Sequence, residues 1–217
     1  MPITRLILVR HGETLANRDF RYIGTRDEAL SKHGIIQAEQ LAGALAVFPV
    51  AAVYSSPLQR AYRTAQAMAA RHNLDVRILD ALRECDFGTW EGLSRAEVLA
   101  RSVQDAEHLH AWERNPTLAP PAGESFAAMQ ERVSVAVANL AQEHADQTII
   151  LVSHVGPIKV LLCTALGAPL TTAFHIFLDP ATISVVDWQE GRSVVRLINS
   201  HAHLGWEQAR WITTKIA

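Results

Sequence analysis

The stretch LILVRHGET, residues 6–14, places a short apolar run directly before the polar residues Arg10 and His11 and the glycine Gly12. A strand that is buried on both faces has this kind of continuous apolar sequence, because neither face meets water. Polar residues at its end then mark the point where the chain leaves the sheet. We therefore predict a buried strand over residues 4–9 that delivers Arg10 and His11 to one edge of a sheet.

Outward from this strand, short apolar runs alternate with segments of helical spacing. Strands are predicted at 51–55, 76–79 and 147–152, helices at 31–48, 56–72 (with Pro57 in its first turn), 94–112, 125–144 and 157–166, and a hairpin at 183–198. This order predicts an α/β protein, a three-layer α/β/α sandwich with a mostly parallel central sheet. We expect a single domain over residues 1–217, with residues 86–124 as a cap-like insertion.

The composition is that of a globular protein. The chain has 217 residues, 49% of them hydrophobic and 19% charged, with a formal net charge of −2. The absence of a basic excess argues against nucleic acid or an anionic membrane as a partner, and no apolar run is long enough to span a bilayer. Two cysteines give neither a disulfide framework nor metal-site spacing. We expect a reduced, cytoplasmic location.

Polar side chains follow the predicted strands at the points where a parallel sheet would bring them together. Arg10 and His11 follow the first strand, Arg60 the second, and His154 the strand at 147–152, while Glu84 comes shortly after the strand at 76–79. Ligands of open α/β sheets bind at this carboxyl edge. The sequence thus predicts a pocket with two histidines, two arginines and one carboxylate.

This set of side chains suits phosphoryl chemistry. Two guanidinium groups match the oxygens of a phosphate dianion, and a largely unprotonated imidazole is a competent nucleophile. A second histidine can stabilise charge on the phosphoryl oxygens, and a carboxylic acid can protonate the leaving oxygen. A glycine at position 12 would let the backbone approach the phosphate closely. The arginines and histidines supply the positive field, so neither a metal nor another cofactor is expected.

Five segments together resemble the histidine phosphatase superfamily, the phosphoglycerate-mutase-like proteins. In chain order they are RHGET at 10–14, GTRDEALSKHG at 24–34, SSPLQRA at 55–61, LRECDFGTWEG at 82–92 and VSH at 152–154. The resemblance extends from residue 5 to about residue 160, in the order that the family shows.

The resemblance implies a role for each matching residue. His11 would be the nucleophile that forms a phosphohistidine, and Glu84 the proton donor. The residues expected to bind the phosphoryl group or contact its pocket are Arg10, Asn17, Gly24, Arg60, His154 and Val155. Many members of the family have glycine directly after the second histidine, so valine at position 155 predicts a narrower or differently shaped pocket.

Within the superfamily the sequence favours hydrolysis over phosphoryl transfer between substrates. After Glu84 the chain continues Cys85-Asp86-Phe87 and lacks the Arg-His-Tyr continuation that the glycolytic mutases show. The segments 120–126 and 153–159 are most similar to the α-ribazole-phosphatase-like branch, which includes broad-specificity phosphatases. We therefore predict a phosphoric monoester hydrolase for a small phosphorylated metabolite. A phosphoglycerate-type mutase and a non-catalytic phospho-ligand-binding domain are the alternatives.

Ordinary structural roles compete with several of these assignments. Arg60 on its own could be a solvated residue of a helix surface, Glu84 could simply pair with Arg83 or Arg60, and His154 could be a satisfied core histidine. Four other cations could bind a second anionic group of the substrate or could be solvated charges: Arg18, Arg21, Arg26 and Lys159. The oligomeric state stays open, with the late hairpin as a candidate edge for a homodimer.

Overall fold

A computed structural model of the chain describes residues 2–210. Its strands are β1 (Thr4–Arg10), β2 (Ala52–Ser55), β3 (Val76–Ile78), β4 (Thr148–Ser153), β5 (Ile183–Trp188) and β6 (Val194–Ser200). Its α-helices are α1 (Leu15–Arg18), α2 (Lys32–Leu45), α3 (Gln59–His72), α4 (Arg95–Arg101), α5 (Val103–Trp112), α6 (Phe126–Glu143) and α7 (Val155–Leu166). Short 3₁₀ turns lie at 80–82, 88–90, 170–175 and 206–208.

The six strands form one mixed sheet in the order β3-β2-β4-β1-β5-β6. Strands β3, β2, β4 and β1 are parallel to their neighbours, whereas β5 pairs antiparallel with β1 and continues into the antiparallel hairpin with β6. The predicted α/β fold class with a mostly parallel central sheet is confirmed.

Helices cover both faces of the sheet, and alternate residues of β1 show how. Leu6 and Leu8 pack into a core with residues of α6 and α7, while Ile7 and Val9 pack into a second core with residues of α2 and α3. Successive side chains of a strand point to opposite faces, so a strand between two helical layers must be apolar throughout. This explains why the run at 6–9 carries no polar residue.

Two local expectations about helices were wrong. The segment predicted as one helix over 94–112 is divided at Ser102, whose backbone is extended and whose side chain accepts a hydrogen bond from the Asp105 amide to cap α5. Pro57 lies outside the helix that it was expected to begin, because Leu58 is the N-cap and α3 starts at Gln59. The extended backbone at Leu58 and at Ser102 sets both boundaries, and helical spacing alone does not reveal it.

Residues 86–124 contribute aromatic side chains to the core on the α6–α7 side of the sheet. Phe87, Trp90 and Trp112 are buried in the same cluster as Leu6 and Leu8. Phe87 and Trp112 also line the cavity described below. Among the described residues, no helix combines the length and the apolar character that crossing a bilayer would require.

Candidate active site

The carboxyl ends of β1 and β4 bring the two predicted histidines together. Arg10 pairs in register with Ser153, and the His11 amide donates a hydrogen bond to the Ser153 carbonyl at 3.0 Å. The rings of His11 and His154 then lie 5.0 Å apart, centroid to centroid, at an interplanar angle of 60°. Parallel pairing of strands that are distant in sequence therefore creates the centre of the site.

The hydrogen bond made by His11 defines which ring nitrogen can react. Its Nδ1 lies 2.7 Å from the carbonyl oxygen of Gly12. A carbonyl can only accept, so Nδ1 carries the hydrogen and Nε2 of a neutral ring has the lone pair. Burial, followed by the positive charges of Arg60 and Arg10, holds the pKa of His11 well below its ordinary value. At neutral pH the residue is thus a neutral imidazole with a free nucleophilic nitrogen.

Glu84 is a buried carboxyl that forms no salt bridge within residues 2–210. Its Oε1 accepts hydrogen bonds from the Cys85 amide at 2.9 Å and from the Gly156 amide at 3.0 Å. Burial raises the pKa of Glu84, while these two hydrogen bonds and the charge of Arg60 oppose the rise. Arg83 instead forms its salt bridge with Asp80. The arrangement suits a group that holds a proton and can release it.

Arg10 presents unused hydrogen-bonding capacity inside the protein. Its Nη1 donates to the Leu178 carbonyl, but its buried Nε has no hydrogen-bond partner among the described residues. Burial lowers the pKa of Arg10 to about 10, which still leaves the guanidinium charged at neutral pH. An unpaired buried donor is costly, and an anion bound beside it would remove that cost.

Arg60 is fully buried and holds the second histidine in place. Its Nε donates to Nδ1 of His154 at 3.2 Å, and its Nη1 and Nη2 donate to the carbonyls of Arg26 and Gly24 at 2.9 and 2.8 Å. Nδ1 of His154 is therefore the acceptor, and its Nε2–H faces the Ser56 hydroxyl at 2.8 Å. The geometry rules out a solvated surface position for Arg60. It also shows that protein groups occupy both ring nitrogens of His154.

A cavity of about 400 Å³ opens at this edge of the sheet. Its polar and charged lining includes Arg10, His11, Asn17, Glu84, Lys159 and His175. Tyr22, Trp112, Phe126 and Phe174 contribute an aromatic wall. The cavity thus combines charged and polar groups with aromatic side chains, which suits a small organic molecule that carries a charge.

The predicted site residues divide into two groups. Arg10, His11, Asn17, Glu84 and Val155 line the cavity. Arg60, His154 and Gly24 do not; they form a hydrogen-bonded layer in contact with the His11 ring. Gly24 contributes a backbone carbonyl to Arg60, and its own Cβ would collide with the Cys85 carbonyl.

Asn17 and Gly12 are positioned by the turn that follows β1. The Asn17 side-chain oxygen accepts from the Thr14 amide at 3.2 Å, which leaves its NH₂ group available to a ligand. Gly12 was expected to make room for phosphate, but a Cβ there would lie 2.5 Å from the Gly34 carbonyl. Glycine at position 12 therefore also permits close packing of the turn against α2.

Sequence reasoning assigned no role to two residues that position the reactive groups. Gly156 donates its amide to Glu84 and has no room for a side chain, because a Cβ would collide with the carboxyl. Ser56 faces His154 through its hydroxyl. Both residues lie inside the segments that carry the resemblance, at 55–61 and 153–159, so the signal was present but did not indicate a function.

Comparison with protein families gives a match to the histidine phosphatase superfamily (branch 1) over residues 6–201. The chain belongs to this superfamily. The match includes every residue placed in the site above, and the resemblance drawn from the five segments is confirmed.

Several similar proteins are named as phosphatases. Phosphoserine phosphatase 1 of Hydrogenobacter thermophilus is 35% identical over 94% of this chain and 95% of its own length. The crystal structure of a putative alpha-ribazole-5'-P phosphatase from Escherichia coli K-12 has a TM-score of 0.81 and 33% identity over 92% of this chain and 97% of that one. The bifunctional protein Rv2228c of Mycobacterium tuberculosis is 41% identical over 93% of this chain, which spans only 55% of that relative's length.

Proposed function

We propose that the protein is a metal-independent phosphatase that hydrolyses a small phosphomonoester through a phosphohistidine on His11. The observation that carries the proposal is the neutral His11 ring, with its Nε2 unprotonated, in the same cavity as the buried carboxyl of Glu84. Relatives named for phosphoserine and α-ribazole phosphate support a phosphomonoester as substrate.

In the first step, Nε2 of His11 attacks phosphorus on the side opposite the ester oxygen. The N–P bond forms as the P–O ester bond breaks, and Glu84 transfers its proton to the departing oxygen. The raised pKa of Glu84 favours the protonated carboxyl that this step requires. The products are a free alcohol, a phosphohistidine and a carboxylate.

In the second step, Glu84 acts as a base. A water molecule gives a proton to the carboxylate and attacks phosphorus, forming an O–P bond while the N–P bond breaks. Inorganic phosphate leaves, and His11 and Glu84 return to their starting protonation states. One carboxyl therefore serves both steps without any other proton carrier.

The cations stabilise the charge that develops on the phosphoryl oxygens. Arg10 offers its unpaired Nε, and Arg60 retains a second hydrogen on each terminal nitrogen beyond those given to carbonyls. The Nε2–H group of His154 donates to the Ser56 hydroxyl and can donate to a phosphoryl oxygen instead when substrate binds. Positively charged donors that are fixed before the reaction stabilise a transition state more effectively than mobile water does.

Substitution of the nucleophile tests the proposal. His11→Ala should lower phosphate release from a panel of phosphorylated metabolites by at least about 10³-fold, and it should abolish an acid-labile phosphoenzyme. His110→Ala removes an exposed histidine on α5 and serves as the matched control. A chelator should leave the rate of the wild-type protein unchanged.

Two results would contradict the proposal. Full turnover by the His11→Ala variant would show that His11 is not the nucleophile. Conversion of 3-phosphoglycerate to its isomer in the presence of a bisphosphate primer, without net phosphate release, would favour the mutase.

A further inference from the structure

Lys159 places a third cation in the cavity, and its position follows from helix geometry. The residue lies on α7, three positions after Gly156 and four after Val155. Residues at these spacings share one face of a helix, and all three line the cavity. Since Gly156 holds the Glu84 carboxyl, Lys159 lies about one helical turn, roughly 5 Å, farther along the same wall.

Two other charged groups of the cavity lining already form salt bridges, whereas Lys159 forms none with the described residues. Arg21 forms a salt bridge with Glu97 at 2.7 Å, and Glu113 forms one with Arg95 at 2.6 Å. Within residues 2–210, no carboxylate lies within salt-bridge distance of the Lys159 ammonium. The sequence left two roles open for Lys159, contact with a second anionic group of the substrate or a solvated charge, and the structure places the residue on the lining of the cavity.

When a phosphoryl group occupies the cavity, its charge is balanced by other cations, and Lys159 is left without a counterion. A phosphoryl dianion is offset by the guanidinium groups of Arg10 and Arg60, and Glu84 enters the reaction as a neutral acid. Burial and the nearby charge of Arg10 lower the pKa of Lys159 to about 8, although the charge of Glu84 opposes this shift. A second negative charge on the substrate would neutralise the Lys159 ammonium.

We propose that Lys159 binds a carboxylate which the substrate carries a short carbon chain away from its phosphate ester. The preferred substrates are then phosphorylated hydroxy acids or amino acids. A single ammonium is a point charge that matches the one negative charge of a carboxylate, whereas a second phosphate would bring about two. This inference rests on the proposed phosphatase function and specifies its substrate class.

A matched pair of substrates tests the assignment. In 3-phosphoglycerate a carboxylate takes the place of one hydroxymethyl group of glycerol 3-phosphate, so the ratio of the two kcat/KM values isolates recognition of the carboxylate. The wild-type protein should favour 3-phosphoglycerate. Lys159→Met should lower that ratio by about 10- to 100-fold, the range that a charge-assisted hydrogen bond provides, mainly through KM.

Further variants separate charge from shape. Lys159→Arg keeps the charge and should retain most of the preference, and Lys159→Gln gives a second neutral side chain if the methionine variant folds poorly. Lys32→Met removes an exposed lysine on α2 and should leave the ratio unchanged.

The outcomes distinguish this inference from the proposed function. If Lys159→Met lowers kcat/KM equally for both substrates, Lys159 contacts the phosphoryl group and the inference is overturned. A wild-type protein that hydrolyses glycerol 3-phosphate without preferring 3-phosphoglycerate also overturns it, and the proposed function survives. A wild-type protein that releases phosphate from no substrate refutes the proposed function itself.

Discussion

Replacing Gly156 with alanine tests whether the position of the Glu84 carboxyl controls the rate. A Cβ at position 156 would come within 3.0 Å of Glu84 Oε1, whereas ordinary contact requires 3.4–4 Å. The carboxyl would have to move by about 1 Å and would weaken its hydrogen bond to the Gly156 amide. Because a misplacement of this size can cost about 10²-fold in rate, kcat should fall to about one hundredth.

Stability should change far less than activity. The clash involves the ends of two flexible side chains, those of Glu84 and Met129, rather than backbone, so refitting them should cost about 1 kcal/mol of stability. Thermal denaturation should therefore show a melting temperature about 2–4 °C below that of the wild type. A fall in kcat with the protein still folded at the assay temperature would assign the effect to the carboxyl.

The assay compares glycerol 3-phosphate with p-nitrophenyl phosphate. The alkoxide of glycerol needs a proton from Glu84 to leave, whereas p-nitrophenolate departs as a stable anion, so the variant should lose more activity with the first substrate. Gly43→Ala in α2 is the control, because its Cβ would have no atom within 4 Å. Wild-type kcat in Gly156→Ala would refute the reasoning that the position of Glu84 limits catalysis.

Two further predictions concern pH and packing. Hydrolysis of glycerol 3-phosphate should be fastest on the acidic side of neutrality, because the lowered pKa of His11 keeps that ring neutral there while the raised pKa of Glu84 favours its protonated form. A rate that rises steadily into the alkaline range would contradict these assignments, and p-nitrophenyl phosphate should show a weaker alkaline decline. Gly34→Ala should lower the free energy of unfolding by about 1–3 kcal/mol, because its Cβ would collide with the backbone of Glu13. Denaturant titration against Gly43→Ala measures the loss, and an unchanged midpoint would show that the turn after β1 can move.

Much of the fold follows from local sequence patterns. The apolar run at 6–9 predicted β1 because burial on both faces of a strand requires apolar residues throughout. The β-α alternation then predicted a mostly parallel sheet with helices on both faces, and the parallel pairing of β3, β2, β4 and β1 agrees. The boundaries at Leu58 and Ser102 were missed, because they depend on the extended backbone of single residues, which a periodic pattern does not show.

The identity of the chemical groups was also readable, since five ordered segments carried the resemblance to the superfamily that the family match confirms. The sequence did not predict which of these residues line the cavity and which support the lining residues from behind. Gly24 was expected to contact the phosphate pocket, yet it supports Arg60 from a position that does not line the cavity.

The sequence by itself determined the class of fold, the family and the residue types gathered at one edge of the sheet, because strand burial and ordered motifs are local properties of the chain. Only the tertiary structure decided which nitrogen of each histidine carries a hydrogen and that Lys159 has no counterion among the described residues. Ser56 and His154 meet across 98 positions of sequence, and Gly24 and Arg60 across 36. Hydrogen-bond partners and burial arise from contacts between distant segments, so they exist only once the sheet has brought those segments together.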